Sequence, residues 1–165
     1  MIRRADLTDA QDISNIYNHY ISHTVITFED AIVSAEEMSG RMNAVFQQRL
    51  PWLVALDNEQ IIGYAYASPW HKRSAYRFSV EVSAYILPSA KSQGWGSKLF
   101  EMLFAELKEN SVHAVIGGIS LPNPSSVALH EKFGMQQVAH YKEVGFKFDR
   151  WVDVGYWQGI LESQE

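Results

Sequence analysis

EVSAYILPSAKSQGWGSKLFEMLF, residues 81–104, is the stretch from which the fold is read. Ser83 to Leu87 is β-prone and is stopped by Pro88. The loop Lys91-Ser92-Gln93-Gly94-Trp95-Gly96-Ser97 follows, rich in backbone donors. From Ser97 onward Leu99, Phe100, Leu103, Phe104 and Leu107 recur at the spacing of one helical face. Strand, glycine loop and helix in that order leave amide N–H groups free at the helix start, where the helix dipole also favours negative charge. Such a place suits a phosphate or pyrophosphate.

Working outward, Ile2 to Ala5 reads as a short edge strand, and Thr8 is a candidate helix N-cap with Gln11 as its capping-box partner. Ile13, Ile16, Tyr17 and Tyr20 give that helix an apolar stripe, and Ser34 caps a second helix with Glu36 and Glu37 in its first turn. Trp52–Leu56 and Gln60–Ala67 read as a hairpin through Asp57-Asn58-Glu59. A polar loop spans Ser68 to Ala75, and Tyr76 is expected to begin the next strand. Beyond the glycine helix, Val112–Ile119 has the apolar character of a strand buried in a parallel sheet. Asn123 and Pro124 open a helix that runs to Phe133 and stops at Gly134. Gln136–Phe148 and Trp151–Gly159 close the chain as two aromatic strands. The order is strand, two helices and four strands at the front, then strand–helix–strand–helix–strand–strand at the back. It predicts one α/β domain over residues 1–165, a mixed sheet with helices on both faces.

Composition narrows the function. Hydrophobic residues make up 47% of the chain, enough for a globular core, and the net charge of −5 argues against a nucleic-acid surface. Without cysteine there is no disulfide, thiolate chemistry or Cys-based zinc site. The first residues carry Arg3, Arg4 and Asp6 with no apolar core of a signal, and no apolar run is long enough to span a bilayer. The expectation is a cytoplasmic protein without a membrane partner. His19 and His23 lie four apart on one helical face, but no carboxylate follows His19 in the H-E-x-x-H manner and no third ligand is evident, so no metal site is expected.

Three phosphate cradles come into question. A P-loop needs G-x-x-x-x-G-K-[ST], which Gly96-Ser97-Lys98 does not supply. A dinucleotide fingerprint needs a third glycine where Leu99 stands, and a tight turn where Pro88 to Gln93 intervene. Lys91-Ser92-Gln93-Gly94-Trp95-Gly96 resembles the pyrophosphate loop of acyl-coenzyme A transferases of the GNAT superfamily, [RQ]-x-x-G-x-[GA], with lysine in place of the first Arg or Gln. Further segments resemble phosphinothricin N-acetyltransferases: Pro69 to Tyr76, Val80-Glu81, Leu121 to Val127, His130-Glu131 with Phe133-Gly134, and Gly145-Phe146-Lys147 to Gln158. The resemblance covers nearly the whole chain. It implies a GNAT fold, a mostly antiparallel twisted sheet of about seven strands with helices on both faces. It also implies acetyl-CoA as co-substrate, a homodimer, and a small amino-acid-like acceptor such as phosphinothricin, methionine sulfoximine or methionine sulfone.

The resemblance then assigns roles. Backbone groups of Tyr85, Ile86 and Leu87 would bind the pantetheine arm as an added strand does, with an N–H near Ile86 facing the thioester oxygen, which requires a splayed strand. Gln93, Gly94, Trp95, Gly96, Ser97 and Lys98 would hold the pyrophosphate, and Asn123 would touch the cofactor. Glu81 would accept the amine proton, sharing one strand face with Ser83 and Tyr85. His130 stands where many GNAT enzymes offer a tyrosine, as general acid or hydrogen-bond donor to the leaving thiolate. Arg73 would clamp the acceptor's carboxylate or phosphinate, with Phe28, Glu29 and Tyr76 lining the same pocket. Two other functions compete: acetylation of a protein N-terminus, lysine or polyamine, and a CoA-binding sensor without turnover.

Overall fold

The structure is a computed structural model that describes residues 1–162. Its elements are β1 (Ile2–Arg4), α1 (Ala10–His23), α2 (Ala35–Gln47), β2 (Trp52–Asp57), β3 (Gln60–Pro69), β4 (Ser79–Ile86), α3 (Trp95–Glu109), β5 (Ala114–Leu121), α4 (Pro124–Lys132), β6 (Gln136–Lys147) and β7 (Arg150–Ile160). The strands form one sheet in the order β1-β2-β3-β4-β5-β7-β6. Every neighbouring pair is antiparallel except β4 and β5. The mixed sheet with helices on both faces is therefore as expected, and β1 lies at the edge.

Strand alternation divides the apolar residues between two cores. Leu53, Ala55, Ala65, Ala67, Val80 and Val82 face α3, whose Leu99, Phe100, Leu103 and Leu107 are buried against them. Trp52, Val54 and Tyr64 face the opposite way, onto Ile13, Ile16, Tyr17 and Tyr20 of α1 and Met38 and Met42 of α2. Ser34 caps α2 through the Glu37 amide, Asn123 caps α4 with Pro124 in its first turn, and Gly134 takes a left-handed φ of 81° just after it.

Several boundaries differ from the sequence expectation. Thr8 is not the N-cap: Asp6 caps a 3-10 turn, Leu7–Asp9, and the Asp9 carboxylate returns to the Asp6 amide at 2.9 Å. Asp9 prevails because Arg3 also grips it through two hydrogen bonds, of 2.7 and 2.8 Å, tying β1 to the start of α1. Gln11 instead donates to Asn15. Tyr76 does not open a strand; Ser74–Tyr76 is a 3-10 turn and β4 begins at Ser79. Residues 79–86 thus make a single strand, one fewer than the front of the chain suggested. The strand expected from Val112 starts at Ala114, because the Val112 amide still bonds back to Leu107 at the end of α3. Among the described residues no helix is long and apolar enough to cross a membrane.

Candidate active site

The parallel pair β4–β5 comes apart. It is in register only at Ser79–Glu81 against Ala114–Ile116. Beyond Glu81, β4 stays with β3 as far as the Gly63–Ile86 pair, whereas β5 stays with β7 as far as Leu121–Asp153. The ladder to β3 is bracketed by Trp70 N–H to Ser79 O (3.1 Å) and Leu87 N–H to Ile62 O (2.8 Å). Odd-numbered residues of β4 therefore spend their main-chain groups on β3, and the amides of Ala84 and Ile86 point into the wedge. The splayed strand is present, but its donors differ from those expected. Leu87 is committed on both sides, since its carbonyl accepts from Ala90. Tyr85 pairs with Tyr64, and Ala84 is the residue that sequence reasoning missed. Tyr20 Oη occupies the Ile86 carbonyl, leaving that residue its N–H.

At the wide end of the wedge stands the glycine loop. Gly94 is the N-cap of α3 with φ 82°, a left-handed conformation that glycine adopts without strain. This turn starts the helix at Trp95, two residues before Ser97. The helical ladder opens with Lys98 N–H to Gly94 O and no side chain caps the start, so the amides of Trp95, Gly96 and Ser97 face outward. The loop is also cationic: Lys91 lies over the Tyr20 ring, Lys98 over Trp95, and Lys132 Nζ donates to Ser97 Oγ at 3.0 Å. Gln93 turns its amide to Ser89 O. A cleft of about 270 Å³ runs from this loop past Ala84–Ile86 to Asn123. Free amides, positive charge and unpaired strand edge fit a long thioester carrying a diphosphate.

Glu81 stands where β4 and β5 part. Its carboxylate lies on the α1–α2 face, over Gly118 and near Tyr156. Burial pushes its pKa up, and nearby His71 opposes that in part. Trp70, His71, Tyr76 and Tyr156 form a wall of ring contacts beside it. On the same face, next to Glu81, is a cavity of about 800 Å³ floored by Trp52, Tyr64 and Tyr66, with Trp52 stacked on Tyr66 at 4.0 Å. Ser68 and Tyr66, which line it, are directly opposite Glu81 and Ser83 in the β3–β4 ladder. A half-buried carboxylate with a raised pKa beside an aromatic cavity is suited to taking a proton from a bound amine.

His130 lies on the other face of the sheet, 5% exposed, beneath Gly117 and edge-on to Phe100. Its Nδ1 is 2.7 Å from the Ser126 carbonyl and so carries the proton, and burial lowers its pKa. In the neutral ring protonated at Nδ1, Nε2 carries no proton, so donation to a leaving thiolate would need the imidazolium, which burial disfavours. Asn123 spends its Oδ1 on the Ser126 amide and Ser125 hydroxyl while lining the cleft.

The remaining expected residues divide. Glu29 does not line the cavity but is held by two residues that do, through two hydrogen bonds from Arg41 (2.9 and 2.6 Å) and one from the Tyr17 hydroxyl. Arg41 holds its pKa down. Phe28 packs on Gly145 of β6. Tyr76 reaches the wall through His71, at 5.1 Å. Arg73 is exposed on its loop, and its guanidinium makes no hydrogen bond or ion pair among the described residues; the guanidinium lining the cavity is that of Arg41. Arg41, Tyr17, Trp52 and Tyr66 had no local signal. The adjacent glycines Gly117 and Gly118 did, since glycine inside a strand marks a close approach. His19 and His23 stack at 4.8 Å, and no cluster of three potential metal ligands occurs among the described residues.

Comparison with known proteins gives the family. Residues 2–155 match the model of the acetyltransferase (GNAT) domain. The chain is 34% identical to a phosphinothricin N-acetyltransferase of Streptomyces coelicolor, over 93% of this chain and 91% of that one. It is 33% identical to an L-methionine sulfoximine/L-methionine sulfone acetyltransferase of Salmonella typhimurium, over 98% and 95%. A phosphinothricin acetyltransferase of Sinorhizobium meliloti, solved in complex with AcCoA, superposes with a TM-score of 0.95 at 36% identity, covering 98% of this chain and 88% of that one.

Proposed function

The chain belongs to the GNAT acetyltransferase family, and from that premise we propose that it transfers the acetyl group of acetyl-CoA to the α-amino group of a small amino-acid analogue. Phosphinothricin, methionine sulfoximine and methionine sulfone are the acceptors that its relatives' names support. One observation carries the mechanism: β4 and β5 part at Glu81, whose half-buried carboxylate lies between the wedge that would take a thioester and Ser68 of the aromatic cavity that would take the amine.

The amides of Trp95, Gly96 and Ser97, with Lys98, hold the diphosphate, while Gln93 shapes the loop. Ala84 and Ile86 take the pantetheine arm at the open edge of β4, and the Ile86 N–H is aimed at the thioester oxygen. Glu81 accepts a proton from the ammonium or from the attacking amine, directly or through water. The nitrogen attacks the carbonyl carbon, the C–N bond forms, the C–S bond breaks, and CoA leaves as a thiolate. A thiolate is a good leaving group, so no general acid at His130 is required. Arg41 borders the acceptor with Glu29 behind it, Phe28 and Tyr76 stand at its margins, and Arg73 is near enough in sequence to the His71 wall to close on an acceptor anion.

Oligomerisation forms part of the proposal. Val144, Phe146, Phe148 and Trp151 are exposed on one side of the β6–β7 hairpin at the sheet edge, and Trp151 is 62% exposed. Such an apolar patch supports a homodimer. The central experiment is release of free CoA across an acceptor panel. Rapid release with methionine sulfoximine or phosphinothricin is expected; tight acetyl-CoA binding with no release from any amine would instead make the protein a sensor.

A further inference from the structure

Lys147 of β6 is 4% exposed, the only buried lysine among the described residues. Alternation along the end of β6 turns Val144 and Phe146 outward and Gly145 and Lys147 inward, and the Lys147 ammonium also lies 5.1 Å from the ring of Phe148 in the turn beyond. The inward pair meets the connection between α1 and α2. Lys147 Nζ donates to the Thr27 carbonyl at 2.8 Å, and a Cβ at Gly145 would overlap the Phe28 ring. The same connection is held from two other sides. Tyr17 Oη and Thr27 Oγ1 are 2.7 Å apart, and Ser120 Oγ of β5 donates to Ile26 O at 3.3 Å. Burial lowers the Lys147 pKa, while the charges of Asp30 and Glu29 act the other way. The next residue after Phe28 is Glu29, which is bonded to Arg41 at the acceptor cavity.

We propose that Lys147 and Gly145 are positioning residues of the acceptor site: they clamp Thr27-Phe28 to β6 and so set where Glu29 holds Arg41 at the cavity. The inference rests on the acceptor cavity assigned above. It makes the far end of the C-terminal hairpin a determinant of which acceptors fit, although neither residue reaches the cavity itself. Lysine suits the position because only a long side chain with a terminal donor reaches the loop carbonyl from that strand, and glycine because the tip of the Phe28 ring stands where a Cβ would be.

The test compares K147M, K147R and G145A with the wild-type chain by steady-state kinetics in both substrates, with hydrogen exchange of residues 24–30 as a second readout. K147M should raise KM for the acceptor by about tenfold while KM for acetyl-CoA stays within about twofold, since only the acceptor side has moved. K147R, which keeps a donor in reach, should recover part of that loss. G145A should displace Phe28 and raise the acceptor KM with no change of charge, and it carries the test should K147M fail to fold. Exchange in residues 24–30 should quicken in both variants while α3 is unaffected. An acceptor KM that does not move in K147M and G145A, or that moves in step with the KM for acetyl-CoA, would overturn the clamp. Wild-type turnover with unaffected acceptor KM in the variants sinks the clamp alone. If the wild type turns over no amine, the transfer reaction itself is wrong, and unchanged exchange in residues 24–30 would then overturn the clamp.

Discussion

Glu81 is a carboxylate set where its charge is disfavoured. Burial raises its pKa above the ordinary glutamate value, so two consequences follow with opposite effects on the molecule. Activity should depend on the ionised form, and the acid limb of kcat/KM against pH should therefore lie above the usual glutamate range. E81Q should lower kcat/KM by about a hundredfold or more and remove that limb. Stability runs the other way. A raised folded pKa means that ionisation costs stability as pH climbs through the unfolded value, with the full cost present above the folded one. E81Q should then melt higher than wild type at neutral pH, as differential scanning calorimetry would read. A lower melting temperature would mean that the carboxylate has a stabilising partner in solution. His130 makes a useful contrast: with its Nδ1 proton fixed on Ser126 O, H130F should disturb packing against Phe100 yet leave the basic limb of the profile in place.

Among the elements, α3 and its loop carry the coenzyme grip in the proposed mechanism. Gly94 sits at φ 82°, where an alanine costs about 1–2 kcal/mol of strain. G94A should accordingly raise KM for acetyl-CoA by about five- to thirtyfold and leave KM for the acceptor nearly unchanged. Equal rises in both would show that the loop does more than hold the diphosphate. The turn before α1 answers to pH. Asp9 has its pKa lowered chiefly by the hydrogen bonds from Arg3, and Glu29 has its pKa lowered chiefly by Arg41. A depressed carboxylate pKa gives stability that is complete above the unfolded value and lost as pH falls through the folded one. Denaturant midpoints should thus hold near neutrality and drop once pH falls below the ordinary carboxylate range, and R3A should flatten that drop. These elements were legible in outline: the apolar stripe of α3, the Ser34 and Asn123 caps and the aromatic closing strands all stand close to where periodicity put them. The start of α1 was not. Thr8 and Asp6 are equally good capping types, and the choice fell to Asp6 because Arg3, on a neighbouring strand, fastens its partner Asp9.

For the whole molecule, the exposed apolar side of the β6–β7 hairpin is the feature that a monomer leaves unexplained. W151E should shift a dimer toward monomer in light scattering at micromolar concentration, without changing the far-ultraviolet circular dichroism. A wild-type chain that is monomeric throughout would remove the dimer from the proposal.

Local pattern settled much here, because a helical stripe, a cap or a glycine turn depends on residues within a few positions of one another. From such short-range signals came the α/β class, the glycine cradle before α3 and, with the family resemblance, Glu81 as the proposed proton acceptor. Folding decided the rest. Ala84 rather than Leu87 faces the wedge because hydrogen-bond parity is set by the register with β3, which no stretch of β4 encodes alone. Arg41, Trp52 and Tyr66 reach one cavity, and Lys147 reaches Thr27 across 120 positions, only because the sheet brings distant segments side by side. A side chain's chemistry is written in its own residue, but its partner is written in the packing.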